Sequence, residues 1–266
     1  MGTAQSTAQT SSCCSAFYEQ DWVRHLAEDI FHPGGAELTN KTVAAMNLPP
    51  GAAIADLGCG TGTTAMMLAR YYGFRVSAVD ISAANIERAI QRMGADHAAV
   101  RFCQADARHL PFNDSELDGI IAECTFSLFT EQESVLSEIR RVLKPGGKLA
   151  ITDMATRGAL PEDIAGILAP WTCLADAVDE ETYLEMFAAA GFEIQTMADE
   201  SAGLISLVRK LKRKLLLLGA GALVKGAPPE FDLPGFDLAN IKFWLDRFET
   251  EVERGSIRYL RFNLQL

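Results

Sequence analysis

The sequence predicts an α/β protein whose mostly parallel sheet carries helices on both faces. Strand-like and helix-like segments alternate from residue 50 to about residue 200, as in sheets with crossover helices. A glycine loop at residues 58–62 joins the first apolar strand to the first helix. The 266 residues, 48% hydrophobic and 22% charged, are typical of an ordinary globular protein.

Hydrophobic periodicity and turn residues predict the elements in order. A proline-glycine turn at 49–51 precedes the first strand, and Thr130 with Glu133 predicts a capping box before a helix that ends near 143. From Leu260 onward, apolar and polar residues alternate, which predicts a half-buried antiparallel strand at or near the sheet edge. The predicted strands are 52–57, 75–80, 100–105, 117–124, 148–153, 192–197 and 257–266, and the other helices are 63–72, 83–93 and 180–190.

Segments outside this alternation suggest how the domain is organised. Residues 1–12 are predicted to be a disordered tail, although Met1-Gly2 with Ser6 also matches a myristoylation pattern. Residues 13–266 are predicted to form one domain. Within it, 13–48 is an N-terminal helical cap and 201–250 is a cap insertion. The apolar run inside 201–250 is about half as long as the roughly 20 residues that a membrane-spanning helix needs. The alternative to a cap helix is therefore contact with a membrane surface.

Charge and cysteine usage exclude some classes of function. The net charge of −11 argues against a nucleic-acid partner, because such proteins need basic faces. Six cysteines spread through the chain indicate reduced thiols rather than a disulfide framework. Together with the absence of a signal-peptide pattern, this predicts a cytoplasmic protein.

The glycine loop indicates a cofactor without phosphates. Its glycines are Gly58, Gly60 and Gly62, and Thr63 stands where a dinucleotide-binding loop has its third glycine. A phosphate-binding G-x-x-x-x-G-K-[ST] loop is also absent from the sequence. Glycine at these positions allows the backbone to approach a ligand closely.

Three carboxylates near strand ends suggest what that ligand is. Asp56 precedes the loop and could orient a positively charged amino group or a water. Asp80 ends the second strand, where a ribose hydroxyl is usually accepted. Asp106 follows the third strand and could accept from an adenine amine. Together they describe an adenosine with a cationic amino-acid tail, which is S-adenosylmethionine.

Four motifs occur in order along the chain: ADLGCGTG (55–62), VSAVDIS (76–82), CQADARHLPF (103–112) and LKPGGKLAITD (143–153). Through these motifs, residues 50–200 resemble the class I S-adenosylmethionine-dependent methyltransferases. The resemblance implies a Rossmann-like sheet of seven strands with the last one antiparallel, and binding of S-adenosylmethionine. It also implies that the loop glycines line the methionine side, that Asp80 binds ribose, and that Asp106 with the Ala107 backbone binds adenine. The cofactor-binding residues expected are Asp56, Gly58, Cys59, Gly60, Gly62, Asp80, Ile81, Asp106, Ala107 and Glu123.

Cysteines in the segments expected at the carboxyl edge of the sheet bear on the methyl acceptor. Cys124 ends the fourth strand, Cys173 follows 49 residues later, and Cys13 and Cys14 lie in the N-terminal segment. Converging thiols suit a thiophilic acceptor such as trivalent arsenic. This part of the chain resembles the arsenite methyltransferases more weakly, because His32-Pro33-Gly34-Gly35 replaces that family's cysteine-bearing turn.

The alternatives remain open at this stage. The cysteines could simply pack as small hydrophobic residues. The acceptor would then be a small organic molecule, such as a quinone, an amine or a thiol, methylated on O, N or S, with His32 as a base and Tyr18 nearby. Cys124, Cys173, His32 and Tyr18 are therefore the catalytic candidates, and no metal ion is expected. A cofactor-binding protein without turnover is the alternative from another class; the missing third glycine argues against a dehydrogenase.

Overall fold

Seven strands form one sheet in the order β3-β2-β1-β4-β5-β7-β6. The computed structural model describes residues 32–93, 100–168, 173–174, 176–225 and 238–266. The strands are β1 (Ala53–Leu57), β2 (Arg75–Asp80), β3 (Val100–Gln104), β4 (Leu117–Glu123), β5 (Leu143–Thr156), β6 (Glu193–Asp199) and β7 (Ile257–Gln265). The helices are α1 (Gly35–Met46), α2 (Thr63–Tyr72), α3 (Ala83–Met93), α4 (Gln132–Val142), α5 (Glu180–Ala189), α6 (Ser201–Lys225) and α7 (Leu238–Arg254), with a 3-10 turn at Phe126–Leu128 and a π-helical turn at Ile164–Leu168.

The strand directions confirm the predicted fold class. β1 pairs in parallel with β2 and β4, β2 with β3, and β4 with β5. β7 runs antiparallel to both β5 and β6, so six strands share one direction and only the last is reversed. The carboxyl ends of β1, β2 and β4 therefore meet at one edge, called here the carboxyl edge.

β7 follows the predicted alternation except at one position: Leu260, Phe262 and Leu264 are buried, and Arg261 and Gln265 are only partly buried. β7 lies one strand in from the sheet edge, and β6 takes the edge position itself. Asn263, predicted on the polar face, is buried, and its side-chain amide donates to the backbone oxygen of Thr42 in α1 at 2.9 Å. Asn263 departs from the alternation because α1 packs over it.

The capping box predicted at Thr130 and Glu133 was wrong. α4 begins at Gln132, and its N-cap residue Glu131 has a left-handed conformation without a side-chain cap bond. The Glu131 carboxylate instead forms an ion pair with Arg108 at 2.8 Å. The side-chain amide of Gln132 donates to the Phe126 backbone oxygen, so contacts with the preceding turn replace the cap.

α6 and α7 leave and rejoin the sheet at the carboxyl edge. α6 starts directly after β6, and α7 ends just before β7, whose first residue Ile257 pairs with the end of β5. Ion pairs join the two helices, including Arg209 with Glu249 at 2.5 Å and Lys212 with both Glu249 and Asp246. An apolar cluster packs both helices against Met154, Tyr259 and Leu38. This position is compatible with the proposed cap, whose role stays a prediction.

Some predictions lie outside the described residues. These include the disordered tail at 1–12 and the candidates Cys13, Cys14 and Tyr18. The predicted N-terminal cap at 13–48 is described only from His32 onward, where α1 forms. Among the described residues, none of the helices combines the length and the hydropathy that a bilayer crossing requires.

Candidate active site

The glycine loop is a tight connection between β1 and α2 at the carboxyl edge. The N–H groups of Gly58 and Cys59 both donate to the Val79 backbone oxygen, at 2.8 and 3.0 Å, and Gly62 N–H donates to the Cys59 oxygen at 2.9 Å. All three glycines have positive φ, which residues with a Cβ rarely adopt. The loop is thereby anchored to β2, the neighbouring strand.

The three glycines are required for different reasons. A Cβ on Gly58 would lie 2.1 Å from the Thr125 hydroxyl, and one on Gly62 would lie 2.6 Å from the Phe102 ring. A Cβ on Gly60 would meet nothing within 4 Å. Gly58 and Gly62 therefore permit close packing of the protein on itself, whereas Gly60 borders open space.

Asp80 is held rigidly beside that open space. Its carboxylate accepts from the backbone N–H groups of Gly60 and Ser82, each at 2.8 Å, and the residue is buried. The same side chain thus organises the glycine loop and the turn after β2. An oriented carboxylate at the end of this strand fits the expected partner of the ribose hydroxyls.

Asp56, near the end of β1, has a buried carboxylate that is not fully hydrogen-bonded. It is 3% exposed, and in the described part of the chain its Oδ2 atom has no hydrogen-bond partner. Burial raises the pKa of Asp56 well above its usual value, and the neighbouring Glu123 and Asp80 carboxylates raise it further. A cationic ammonium group, such as that of a methionine tail, fits this atom.

Glu123, the last residue of β4, is surrounded by hydroxyl donors. Its carboxylate accepts from Thr39 in α1 at 3.0 and 3.1 Å and from Thr64 in α2 at 2.9 Å. His32 Nε2 lies 3.5 Å from the same carboxylate. Glu123 therefore connects the segment before β1 to the start of the glycine-loop helix.

His32 lies against Glu123, at the turn before α1. Its Nε2 is 3.2 Å from the Thr39 hydroxyl, and its Nδ1 is 3.2 Å from the Pro33 backbone oxygen. Both ring nitrogens thus face partners within the protein. A role as a base requires one of these contacts to break, so that role stays a prediction.

The proposed adenine side differs in detail from the expectation. The Asp106 carboxylate is bound by the Arg108 guanidinium at 2.7 Å, whose hydrogen bond holds the pKa of Asp106 below its usual value. Ile81 is 64% exposed, and Ala107 packs on the edge of an apolar cluster. Cys59 is buried in another apolar cluster, so its backbone, not its thiol, belongs to the loop.

Cys124 and Cys173 are brought together by the fold. Their sulfur atoms lie 2.8 Å apart, and Cys173 is buried among the apolar residues beneath α6 and α7. The hydrogen bond with Cys173, together with burial, raises the pKa of the Cys124 thiol well above its usual value. Among the described residues no third histidine, cysteine or carboxylate completes a metal-binding group here.

Asp153 supports the turn that follows Cys124. Its carboxylate accepts from the Ser127 N–H at 2.7 Å, the Ser127 hydroxyl at 2.8 Å and the Met154 N–H at 2.7 Å. Burial raises the pKa of Asp153 to about 6. The turn at Phe126–Leu128 is therefore fixed to the end of β5.

Several residues of this site carry no signal in the sequence. Thr39, Thr64 and Thr125 lie outside the four motifs, and their partners lie far away along the chain. Asp153 ends the fourth motif, where the sequence predicts only a strand residue. Only their adjacency to predicted strand ends could have indicated them.

Comparisons with known proteins agree with this geometry. A family model described as a methyltransferase domain matches residues 54–147. The chain is 30% identical to methyltransferase GfsG of Streptomyces halstedii over 68% of this chain and 66% of that protein. It is 32% identical to an arsenite methyltransferase of Halobacterium salinarum over 73% of this chain and 53% of that protein.

A third relative is a demethylmenaquinone methyltransferase of Clavibacter sepedonicus, which is 31% identical over 61% of this chain and 74% of that protein. The chain thus spans between about half and three quarters of these relatives. The fold is shared with a phosphoethanolamine N-methyltransferase 2 of Haemonchus contortus solved with S-adenosylhomocysteine, at a TM-score of 0.78 and 18% identity over 99% of this chain and 61% of that one.

The glycine loop, the ordered motifs and these relatives lead to the same conclusion. The matched residues 54–147 include the glycine loop and the strands β1 to β4, and the relative covered over 74% of its length is a methyltransferase by name. The chain belongs to the family of S-adenosylmethionine-dependent methyltransferases.

Proposed function

We propose that the protein transfers a methyl group from S-adenosylmethionine to a small, thiophilic acceptor, trivalent arsenic, bound at Cys124 and Cys173. The observation that carries the proposal is the 2.8 Å separation of the two thiol sulfurs. Cys124 directly follows Glu123, at the edge of the sheet that the cofactor loop also occupies.

The residues of the glycine loop fit the cofactor. The open side of Gly60 leaves room for it, the unpartnered oxygen of Asp56 would accept from its ammonium group, and Asp80 would accept from its ribose hydroxyls. The exposed side chain of Ile81 offers an apolar surface to adenine. Asp106 can accept a hydrogen bond from the adenine amine once one of its hydrogen bonds with Arg108 is broken. When bound, S-adenosylmethionine supplies an electrophilic methyl group for in-line attack by an acceptor.

The protein contributes alignment and exclusion of water. Because Cys124 is held by the sheet, its N–H donating to the Thr152 oxygen at 2.6 Å, an acceptor bound to it has a defined position relative to the loop. The apolar residues around Cys173 limit access of water. Holding two reactants in register in this way accounts for a large part of catalysis.

The thiol pair has the chemistry that a trivalent arsenic acid requires. Each thiol can exchange its proton for an arsenic–sulfur bond while an arsenic hydroxyl leaves as water, so two bonds form and two waters are released. No oxidant or reductant is consumed in this step. The raised pKa of Cys124 keeps the thiol protonated until the acceptor arrives. A third thiol would come from Cys13 or Cys14, which lie outside the described residues.

A small organic acceptor is the second candidate, and one observation favours it. A cavity of about 450 Å³ lies between α1 and α6, lined by His32, Lys41, Glu200 and Lys210 among others. It borders the Glu123 cluster through His32 and would accommodate a small metabolite or a quinone headgroup. One relative, from Clavibacter sepedonicus, is a demethylmenaquinone methyltransferase by name.

The test is binding of arsenite and phenylarsenite to the reduced protein, measured by mass spectrometry and calorimetry. We expect a stoichiometry near one, and loss of binding in both Cys124→Ser and Cys173→Ser, because one remaining thiol cannot hold the acid in two-point coordination. Cys103→Ser is the matched control, since Cys103 lies in β3 away from the pair. Turnover is then followed with labelled cofactor.

Two results would redirect the assignment. Unchanged arsenical binding in both cysteine variants would remove the thiol pair as the acceptor site and leave the organic acceptor. Absence of methylation with arsenicals and with a panel of quinones, amines and thiols would favour a cofactor-binding protein without turnover.

A further inference from the structure

Exposed side chains form a strip along the outer face of α6. On the inner face, Leu204 and Val208 are buried in the apolar cluster beneath the helix. The exposed residues recur at intervals of three and four positions, which places them on one side of a helix. They are Ala202, Ser206, Arg209, Arg213, Leu216 and Leu217. The strip therefore ends in two leucines, which are 75% and 71% exposed.

Ion pairs between α6 and α7 show which part of α7 lies beside these leucines. The pairs are Arg209 with Glu249 and Lys212 with Asp246, each at 2.5 Å. Three residues forward on α6 thus correspond to three residues back on α7. About one helical turn farther along, residues 215–217 are level with residues 241–243. Phe243, which is 56% exposed and contacts the ring of Trp244, lies in that turn, so both helices present apolar side chains at the same height.

The charge of the two helices changes beyond the last of these ion pairs. Up to that point, acidic residues of α7 pair with cations of α6. Beyond it the cations are Arg213, Lys214 and Lys242, and no described side chain at 213–217 or 242–245 is acidic. The chain as a whole has a net charge of −11, so this is a locally positive surface on an acidic protein. We name it the α6–α7 patch, and it consists of Arg213, Lys214, Leu216, Leu217, Lys242 and Phe243.

We propose that the α6–α7 patch binds the surface of a membrane that contains anionic lipids. Each lysine or arginine near such a surface contributes about fivefold to binding, which corresponds to about 1 kcal/mol. Exposed leucine and phenylalanine side chains can enter the boundary between headgroups and acyl chains. The long basic side chains can keep their charges among the headgroups while their stems follow the apolar surface.

Charge complementarity favours this partner over a second copy of the chain. In a two-fold symmetric contact the patch of one copy would face the patch of the other, which would bring cations together. An anionic bilayer offers negative charge at its surface and an apolar layer directly beneath it. The patch combines the two matching properties within about one helical turn of each helix.

The experiment is vesicle flotation of the full chain, with the bound fraction measured as the lipid concentration rises. One set of vesicles is phosphatidylcholine alone, and the other is phosphatidylcholine mixed with phosphatidylserine. We expect the wild type to bind the mixed vesicles, less tightly as added salt screens the charges, and to bind phosphatidylcholine alone much more weakly. This comparison needs no variant, so it does not depend on how a variant folds.

Two variants of the patch have matched controls elsewhere on the surface. Arg213→Glu should weaken binding to the mixed vesicles at least about tenfold, because it changes the charge by two units. Arg101→Glu makes the same change on an exposed residue of β3 and should have less than about a twofold effect, since it lies away from the patch. Leu216→Ser should weaken binding at least about fivefold through lost apolar contact, whereas Ile90→Ser, on an exposed residue of α3, should not.

Equal binding to both kinds of vesicle, or binding to neither, would overturn the proposal, as would equal effects of Arg213→Glu and Arg101→Glu. Sedimentation equilibrium without lipid tests the competing occupant. A wild-type dimer that Leu216→Ser converts to a monomer would assign the patch to a second copy of the chain instead. Failure to bind vesicles would leave the proposed methyl transfer intact, because the patch shares no residue with the cofactor loop or the thiol pair.

Discussion

The thiol sulfurs of Cys124 and Cys173 lie 2.8 Å apart, although 49 positions separate the two residues. Cys124 has a φ of 54°, a left-handed conformation that is unusual for a residue with a side chain. This backbone turn follows directly on β4, where the chain enters the Phe126–Leu128 turn that Asp153 holds in place. The sheet thus positions one thiol, and the segment before α5 brings the other to it.

This relationship predicts which disulfide forms on mild oxidation. Treatment with oxidised glutathione should link Cys124 to Cys173 and not to Cys59 or Cys103, because only this pair of described cysteines is in contact. The reaction should be slow at neutral pH and faster at alkaline pH, since the raised pKa of Cys124 limits the thiolate. Peptide mapping would identify the linked residues, and a Cys59 or Cys103 disulfide as the main product would contradict the observed pairing.

Asp80 should determine the affinity for the cofactor. Charge-assisted hydrogen bonds to hydroxyls contribute roughly 1.5–3 kcal/mol each, so Asp80→Ala should weaken S-adenosylmethionine at least about tenfold, at about 1.4 kcal/mol per decade. Asp80→Asn keeps the size of the side chain but removes its charge, so a comparison of the two variants distinguishes the effect of charge from the effect of packing. Calorimetry checks the result, and an affinity unchanged in both variants would refute the ribose assignment.

Two glycine variants should separate folding from ligand binding. In Gly58→Ala the new methyl group meets the Thr125 hydroxyl, and we expect a loss of roughly 2–4 kcal/mol in the free energy of unfolding from overlap and backbone strain. Gly60→Ala meets no protein atom and should lose only about 1–2 kcal/mol of conformational strain. It should nevertheless weaken cofactor binding. Denaturant unfolding and calorimetry would test both, and normal cofactor affinity in Gly60→Ala would show that its open face is not the ligand side.

Asp153 should make stability depend on pH. Its pKa in the folded protein is about 6, above the usual 3.8, because burial disfavours the charged form. Its stabilising contribution is therefore complete below the unfolded-state pKa and is lost as pH rises through about 6. Asp153→Asn cannot titrate, so the stability of the wild type relative to this variant should fall by roughly 1–2 kcal/mol between pH 5 and pH 7.5.

The measurement is urea unfolding of both proteins at several pH values. Other titrating groups are common to the two proteins and cancel in the difference. The variant should also be less stable throughout, because its amide nitrogen cannot accept from the Ser127 N–H and hydroxyl. Parallel stability curves for the two proteins would show that Asp153 does not titrate as described.

Most of the central fold could be predicted because its signals are local. The helices at Thr63–Tyr72 and Ala83–Met93 have the predicted bounds, since glycines and strand ends mark them along the chain. The bounds were less well predicted where a neighbour decides the outcome. β5 runs from Leu143, earlier than predicted, because Leu117 of β4 pairs with it before the register shifts.

The amino-acid sequence by itself determined the class of sheet, the glycine loop and the carboxylates at the ends of β1 and β2, because strand periodicity, turn residues and motif spacing are properties of adjacent residues. Only the tertiary structure decided that Asn263 of β7 is buried against α1, that Thr39 and Thr64 meet on Glu123, and that Cys124 touches Cys173. Each of these contacts joins segments distant along the chain. Their formation depends on how helices and strands pack across the sheet, and a local pattern does not encode that packing.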